Sequence, residues 1–253
     1  GGEVGNKRPR EEDKDANPLK GAWSFMKAPT EKDVRGQRRT RKAFDIPPKP
    51  FDWLVVMDFE WTCDNRKRVE PLEIIEFPAV LVRCSWPPRI VDEFQVYCKP
   101  TANPTLSKFC TELTAITQDM VDGGVTISEA IEQHTAWLRS HKLVGQGGVE
   151  GATFAIVTWG DSDVQQALET EIQGKGIGRP PHFDRWINLK EMYKIHYKRE
   201  PSGGLATCVA RCGLEFEGRA HSGLVDSRNT AKICVQMMLQ GYRFMRTTRG
   251  FAP

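Results

Sequence analysis

The order of apolar and polar positions along the chain predicts strands first and helices afterwards. Four apolar runs of strand length occur, at 53–57, 74–84, 90–97 and 154–157. The first run is rich in valine and shows no polar alternation, so its strand is predicted to be buried on both faces. Trp86, Pro87 and Pro88 separate the second and third runs, which are therefore predicted to form a hairpin.

Helical patterns follow the third strand. They occupy five segments, at 113–121, 127–138, 161–172, 205–212 and 225–239. Thr126 or Ser128 is placed to cap the second of these helices, and Gly213 and Gly241 follow the last two. Three leading antiparallel strands, then helices and a later central strand, predict an α/β fold with a mixed central sheet flanked by helices.

Composition divides the chain into three parts. Residues 1–50 carry 13 Lys or Arg against 8 Asp or Glu and end in several prolines, so they are predicted to form a basic, mostly extended arm. Such an arm indicates either an anionic partner or a charged tail that aids solubility. Its aromatic residues, Trp23 and Phe25 among them, also suggest docking, either onto the rest of the chain or onto a protein partner. Residues 51–245 form the patterned domain, with a glycine-rich loop at 145–151, and 246–253 are expected to be a tail.

Composition also limits the class of protein. Hydrophobic residues make up 39% and charged residues 27%, which is typical of globular chains. No run of about 18 apolar residues occurs, so no membrane partner is expected. Seven cysteines without zinc-site spacing are expected to be reduced thiols, which favours an intracellular, reducing compartment: nuclear, cytoplasmic or mitochondrial. The first strand is not followed by Gly-x-Gly-x-x-Gly, which argues against a dinucleotide site.

Two carboxylates stand at the end of the first predicted strand. Because side chains alternate along a strand, Asp58 and Glu60 point to one side while Phe59 points into the core. Neighbouring carboxylates repel each other when they are desolvated, and a cation that prefers oxygen ligands, Mg²⁺ or Mn²⁺, relieves that repulsion. Two solvated acids at a strand exit are the alternative interpretation.

Acidic residues recur at two later places. Asp161 and Asp163 follow the fourth strand, where one is expected to cap the next helix and the other to reach a metal. His221 precedes the last helix and Asp226 falls in its first turn, so His221 is a candidate general base beside a carboxylate. These residues together suit two-metal hydrolysis of a phosphodiester.

Residues 51–245 resemble the DEDDh exonucleases, and in particular their Eri-type branch, which is related to the histone-mRNA 3′-exonuclease. The resemblance rests on motifs that follow one another in the family's order, at 58–60, 62–63, 73–78, 109–110, 113–118, 186–189 and 218–224. It implies a ribonuclease-H-like fold and a metal-dependent 3′→5′ exonuclease activity.

The resemblance also implies a role for each acidic residue. The carboxylates that match metal ligands are Asp58, Glu60, Asp163 and Asp226. His221 matches the general base. Asp163 is preferred over Asp161 for the middle carboxylate because an apolar residue, Leu168, follows it at the branch's spacing of five; Asp161 is assigned a supporting role. The implied cofactors are two Mg²⁺ ions, for which Mn²⁺ is expected to substitute.

Substrate contacts are implied at residues of the same motifs. They are Trp61, Thr62, Leu113, Thr114, Ile116 and Arg219. Relatives carry a small residue where this chain has Trp61, whose indole is expected either to stack on the 3′-terminal base or to fill core space. Arg66, Lys67, Arg68 and Arg228 are further candidates for steering the phosphate backbone, and each has the alternative of a plain solvated charge.

The resulting hypothesis is a 3′→5′ exoribonuclease that takes RNA with a free 3′ end and releases nucleoside 5′-monophosphates. Two alternatives stay open. One is an exonuclease of single-stranded DNA, because discrimination depends on 2′-hydroxyl contacts that a sequence does not display. The other is an inactive RNA-binding subunit of a larger particle, against which the complete set of acidic residues argues.

Overall fold

The computed structural model describes residues 49–145 and 153–251. The arm predicted at 1–50 lies outside the described residues except for its last two positions, and so does most of the loop predicted at 145–151. Within the described ranges, no helix has both the length and the apolar character that crossing a membrane requires.

A mixed sheet of seven strands lies at the centre of the described structure. Its strands are β1 (Trp53–Met57), β2 (Glu60–Trp61), β3 (Ile74–Arg83), β4 (Arg89–Tyr97), β5 (Phe154–Thr158), β6 (Arg185–Asn188) and β7 (Arg249–Gly250). β1 pairs antiparallel with β3 and parallel with β5, and β6 continues the parallel part beside β5. β2 and β4 pair antiparallel with β3, and β7 pairs antiparallel with β6.

Helices cover both faces of this sheet. They are α1 (Lys108–Thr114), α2 (Gln118–Asp122), α3 (Ile127–Ser140), α4 (Glu169–Gly174), α5 (Leu189–Tyr197), α6 (Gly204–Arg211) and α7 (Gly223–Leu239), with a π-helical segment at Asp163–Leu168 and a 3₁₀ turn at Pro181–Phe183. The predicted α/β architecture, with its three antiparallel leading strands, is confirmed.

The burial of β1 explains its unbroken apolar run. Leu54 and Val56 pack on one face of the sheet against residues of α5, α6 and α7. Val55 and Met57 pack on the other face against α3 and the π-helical segment. Since both faces are covered, no position of the strand is left for a polar side chain, as predicted.

Two predicted helices differ from the observed ones. The prediction of a single helix at 113–121 is wrong, because α1 ends at Thr114. The next residue, Ala115, has a left-handed φ of 63°, and Thr117 caps the separate helix α2. The helix predicted at 161–172 begins as the π-helical segment and continues as α4. π-Helical turns occur frequently at functional sites.

Three further elements, β6, α5 and β7, lie where no strand or helix was predicted. β6 and α5 span 185–197, and β6 is four residues long, too short for a periodic pattern to show. Residues 249–250, in the segment expected to be a tail, form β7 and extend the sheet beside β6.

Candidate active site

The ends of β1 and β5 meet at one edge of the sheet because the two strands run parallel. Asp58 directly follows β1, Glu60 lies on β2, and Asp163 opens the π-helical segment after β5. The backbone N–H of Phe59 donates to Asp163 Oδ1 at 2.8 Å. The ring of Phe59 is buried, and its centroid lies 4.6 Å from the centroid of the Phe77 ring. This backbone hydrogen bond therefore ties the first acidic segment to the second.

The start of α7 brings two more candidate residues to the same edge. Asp226 lies in the first turn of α7, and its Oδ2 accepts the backbone N–H of His221 at 2.8 Å. His221 is exposed and adopts a left-handed φ of 62°. The ligand atoms of Glu60, His221 and Asp226 all lie within 4.8 Å of one another. The predicted base thus stands on the open side of a cluster whose carboxylates come from three separate segments.

A glycine makes the close approach of α7 possible. A Cβ atom at Gly223 would lie 2.4 Å from the carbonyl oxygen of Asp58 and 3.0 Å from Cγ of Pro78. Any larger residue would push the first turn of α7 away from the end of β1. The residues 218–224, which the sequence already marks as a motif, therefore include a position where the backbone itself packs into the site.

Burial and mutual repulsion raise the pKa values of the clustered carboxyl groups. Burial, reinforced by the charges of Glu76, Asp226 and Asp163, raises the pKa of Glu60 to about 8. Burial likewise raises the pKa of Asp163 to about 7 and that of Asp226 to about 6. The pKa of Asp58 is raised well above its usual range by burial and by the neighbouring carboxylates. Such a cluster favours bound positive charge.

The donor set fits divalent cations. The four clustered carboxylates supply the oxygen ligands that Mg²⁺ and Mn²⁺ prefer. Among the described residues, Asp226 Oδ1 is buried without a hydrogen-bond partner, and a cation would satisfy it. Asp58, Glu60, Asp163 and Asp226 are therefore the residues that could hold metal. His221 offers a nitrogen close to two of these carboxylates, so its position suits a base or a ligand.

The raised pKa values predict how the stability of the metal-free protein depends on pH. In the folded state these groups keep protons that the unfolded chain, with pKa values near 3.8 and 4.5, has already released. The contribution of these groups to the free energy of unfolding is therefore expected to be fully present below about pH 4 and to be lost as the pH rises through about 8. In EDTA, the midpoint of thermal unfolding should fall by several degrees between pH 5.5 and 8.5, by about 2–4 °C for each kcal/mol lost.

Saturating Mg²⁺ should largely remove this fall, because bound cations replace the protons in compensating the carboxylates. The measurement is calorimetry or circular dichroism in EDTA and in Mg²⁺ across that pH range. A midpoint in EDTA that rises steadily up to pH 8.5 would contradict the expected repulsion among the four carboxylates.

Asp161 and Asp163 occupy different surroundings despite their proximity in sequence. Asp163 is buried and faces the acidic cluster. Asp161 accepts a hydrogen bond from Trp186 Nε1 at 3.0 Å and another from Arg249 Nε at 3.2 Å. Both oxygens of Asp161 are thus engaged by β6 and β7, which agrees with the supporting role predicted for it. Its carboxylate does not cap the following segment.

Trp61 and Thr62 line a cleft of about 770 Å³ beside β2. Trp61 is half-buried, whereas Thr62 is 3% exposed and its Oγ1 accepts the backbone N–H of Glu73 at 3.2 Å. Lys67 lines the same cleft, together with Gln166 of the π-helical segment. The indole is therefore placed at the wall of an open cleft next to Glu60, where a base could stack on it.

The other predicted substrate-binding residues lie around the end of α1. Leu113 is half-buried, while Thr114 and Ile116 are each 2% exposed. The hydroxyl of Thr114 donates to the carbonyl of Cys110 at 2.9 Å and accepts the N–H of Ile116 at 3.1 Å. These two residues shape the turn after α1, and Leu113 is the more accessible member of the group.

Arg219 connects that turn to the loop before α7. Its guanidinium donates to the backbone carbonyl of Glu112 in α1, and the rest of the residue is exposed. The hydrogen bond places the end of α1 beside the loop that carries His221. The predicted substrate-binding residues from the two segments are therefore brought together at the candidate site.

The other basic candidates differ in whether they form ion pairs and whether they line a cleft. Arg228 forms a two-pronged ion pair with Glu93, at 2.7 and 2.5 Å, and Arg68 pairs with Glu70 at 2.6 Å. Lys67 lines the cleft beside Trp61 and also a second cleft of about 300 Å³. Arg68 lines the cleft beside Trp61 as well, so Lys67 and Arg68 are both placed to meet a phosphate there, and Arg68 is already paired with Glu70.

Two residues of the site had no predicted role. Glu76 lies within the 73–78 motif and adds its charge to the cluster, where it helps raise the pKa of Glu60 after burial. Lys190, the second residue of α5, opposes the effect of burial on the pKa of Asp163. The sequence signal for Glu76 is its place as an acidic residue within the apolar run at 74–84. Lys190 had no signal, because its helix was not predicted.

Comparison with known proteins agrees with this geometry. A family model described as Exonuclease matches residues 55–234. A human protein named ERI1 exoribonuclease 2 is 42% identical over 212 residues, which cover 79% of this chain and 30% of that relative. The chain thus spans about a third or less of that relative's length. The 3′-5′ exonuclease Snipper of Drosophila melanogaster is 35% identical, with 83% of this chain and 78% of Snipper covered.

A solved structure extends the agreement to three dimensions. The nuclease domain of 3′hExo, a DEDDh family member bound to rAMP, superimposes with a TM-score of 0.73 at 33% sequence identity. The match covers 79% of this chain and 98% of that domain. From the motifs, the fold, the acidic cluster and these similarities, the chain belongs to the DEDDh 3′→5′ exonucleases, in their Eri-type branch.

Proposed function

We propose that this chain is a 3′→5′ exoribonuclease that hydrolyses the terminal phosphodiester of RNA and releases nucleoside 5′-monophosphates. The observation that carries the proposal is the convergence of Asp58, Glu60, Asp163 and Asp226 with His221 at one open edge of the sheet. Glu60, His221 and Asp226 place ligand atoms within 4.8 Å of one another there.

The carboxylates have a defined part in this chemistry. Their raised pKa values indicate that their charges are incompletely compensated by the protein. Members of the DEDDh family depend on divalent metal, and Asp58, Glu60, Asp163 and Asp226 would hold two such ions. Bound divalent cations supply the positive charge that favours ionisation of an attacking water and stabilises the leaving 3′-oxygen.

His221 is proposed to take the proton of the attacking water. Its ring stands on the exposed side of the cluster, and its backbone is tied to Asp226, which holds it near the carboxylates. An imidazole in its neutral form has a nitrogen lone pair that can accept this proton. Trp61 is proposed to support the 3′-terminal base by stacking on it. Lys67 and Arg219 are proposed to attract the phosphate backbone through their positive charges.

Several observations favour RNA as the substrate. The ERI1 relatives, two human members of which are 42% and 34% identical to this chain, are named exoribonucleases, and the similar solved domain is bound to rAMP. The proposed partner is therefore RNA with a free 3′ end. A protein partner for residues 1–50 remains a proposal that concerns only the arm, which lies outside the described residues.

The proposal predicts a preference that can be measured directly. Single-stranded RNA and DNA of the same sequence, each with a free 3′ end, would be incubated with the full chain in Mg²⁺. We expect nucleoside 5′-monophosphates from RNA at a rate at least about tenfold above DNA, because a lost 2′-hydroxyl contact of roughly 1.4 kcal/mol changes a rate tenfold. EDTA should stop the release, and chromatography of the products measures it.

Each other outcome would change the assignment. Equal rates on the two substrates would replace the exoribonuclease by a general single-strand exonuclease. An RNA whose 3′ end is blocked by a 3′-phosphate serves as the control for end-directed attack. Binding without any release in Mg²⁺ or Mn²⁺ would favour the inactive RNA-binding subunit.

A further inference from the structure

Glu76 is a buried carboxylate in the middle of β3. It is 1% exposed and stands directly opposite Glu60 in the pairing of β2 with β3. Cross-strand partners of an antiparallel pair project from the same face of the sheet. Val56 and Val80, which pair in the same way nearby, pack on the face that α7 covers. Glu76 therefore faces the start of α7 from beneath.

The carboxylate of Glu76 is committed to hydrogen bonds. Its Oε2 accepts the backbone N–H of Gly223 at 2.8 Å, and its Oε1 accepts that of Leu224 at 3.0 Å. Oε1 also accepts from Gln95 Nε2 at 2.7 Å. Both oxygens are thus occupied by donors of the protein, which leaves this carboxylate poorly suited to bind a metal directly.

These hydrogen bonds replace the cap that α7 does not provide for itself. In the described structure Ser222, the residue before the helix, makes no capping hydrogen bond with its side chain. The first N–H groups of a helix have no partner within the helix and favour a negative charge beside them. A carboxylate from another strand takes that place here. It holds the helix against Asp58, whose carbonyl oxygen lies only 2.4 Å from the position that a Cβ of Gly223 would take.

The turn that Glu76 holds is the one that carries two residues of the proposed reaction. His221 lies just before Ser222, the residue that precedes α7. Asp226 lies two residues after Leu224, the second of the two residues whose N–H groups are capped. The N–H of Asp226 donates to the carbonyl of Ser222 at 2.8 Å. A shift of the capped turn would therefore move His221 and Asp226 together, relative to Asp58 and Glu60.

We propose that Glu76 is a positioning residue for the phosphodiester hydrolysis, since it sets the distance from His221 and Asp226 to the carboxylates at the end of β1 by capping α7. This inference rests on the proposed function. It assigns Glu76 no contact with the substrate or the reacting atoms.

Glu76→Gln tests the inference because it keeps the side chain's size and removes one of its two accepting oxygens. Glu93→Gln is the matched control: Glu93 also lies on a strand and binds the same helix, through Arg228. Both variants would be compared with the wild-type chain for kcat and KM on single-stranded RNA, for Mn²⁺ binding by electron paramagnetic resonance, and for thermal unfolding.

We expect Glu76→Gln to lower kcat by about 10- to 100-fold, because misplacement of reacting groups by about 1 Å can cost about 100-fold. KM for RNA should stay within about threefold, since the cleft beside Trp61 is not altered, and Mn²⁺ should bind more weakly because Asp226 is displaced. Glu93→Gln should keep kcat and Mn²⁺ affinity within about twofold. A folded Glu76→Gln with wild-type kcat and wild-type Mn²⁺ affinity overturns the inference.

Two further measurements keep the test decisive. If Glu76→Gln does not fold, Glu76→Asp takes its place, because it keeps the negative charge but withdraws the carboxylate by one methylene from the N–H groups of Gly223 and Leu224. A decrease of kcat by about threefold or more with unchanged KM supports the inference, and an unchanged kcat overturns it. If the wild-type chain releases no nucleotide at all, the proposed function fails, and Mn²⁺ binding alone decides the role of Glu76.

Discussion

Asp58→Asn is expected to abolish nucleotide release while the protein stays folded. Asparagine has almost the same size, but it carries no negative charge for a divalent cation, and Asp58 is close enough to the other acidic residues for their charges to raise its pKa. The rate on single-stranded RNA in Mg²⁺ should fall on the order of 10³-fold or more, as for the loss of a principal catalytic group. Release of 5′-monophosphates from labelled RNA, at saturating Mg²⁺, measures the effect.

The fold should tolerate this change well. The pKa of Asp58 is raised by burial and by the carboxylates around it, so its charge is a cost to the metal-free protein. In EDTA at pH 8, Asp58→Asn should therefore unfold at the wild-type temperature or above it. Asp119→Asn, on the exposed surface of α2, is the control for a surface Asp-to-Asn change. Near-normal nucleotide release by folded Asp58→Asn would remove Asp58 from the site.

His221→Ala is expected to lose most of the rate and to keep metal and RNA binding. General base catalysis contributes about 10²- to 10⁴-fold, and a decrease in kcat within that range is expected here. Mn²⁺ affinity should change by less than about threefold, because the four carboxylates remain.

The backbone at His221 calls for a second variant. Its left-handed φ of 62° is tolerated better by asparagine than by most residues, so His221→Asn separates the loss of the imidazole from a change of the loop. His196→Ala, whose ring contacts Gln240 on the far end of α7, is the control for a histidine outside the cluster. If both His221 variants lose Mn²⁺ binding, His221 is a metal ligand and the base must be sought elsewhere.

Local patterns in the sequence were sufficient for the architecture of the core. The apolar run of β1 is buried on both faces because helices cover both, and a strand with that surrounding has no polar positions. The three leading strands and helices α3, α6 and α7 follow from the same kind of pattern. β6 and α5 did not, because β6 is a four-residue strand whose stability comes from β5 and β7 beside it.

The helix predicted at 113–121 shows how tertiary packing overrides a local pattern. Thr114 and Ile116 are buried at the turn between α1 and α2, so apolar spacing that resembles one helix belongs to two helices and the bend between them. The carbonyl of Glu112 in α1 accepts from Arg219, and this long-range contact joins the bend to the loop before α7. No pattern within a short window of sequence contains that contact.

The sequence by itself determined which acidic residues were candidates and, through the spacing of Asp163 from Leu168, which of two aspartates was preferred. The preference for Asp163 came from the resemblance to the Eri-type branch, whose pattern has an apolar residue five positions after this aspartate. Only the tertiary structure decided that Asp161 is occupied by Trp186 and Arg249, and that Glu76 caps α7. These assignments depend on hydrogen bonds between groups that are 25 to 147 residues apart, and on burial, which the folded chain alone establishes.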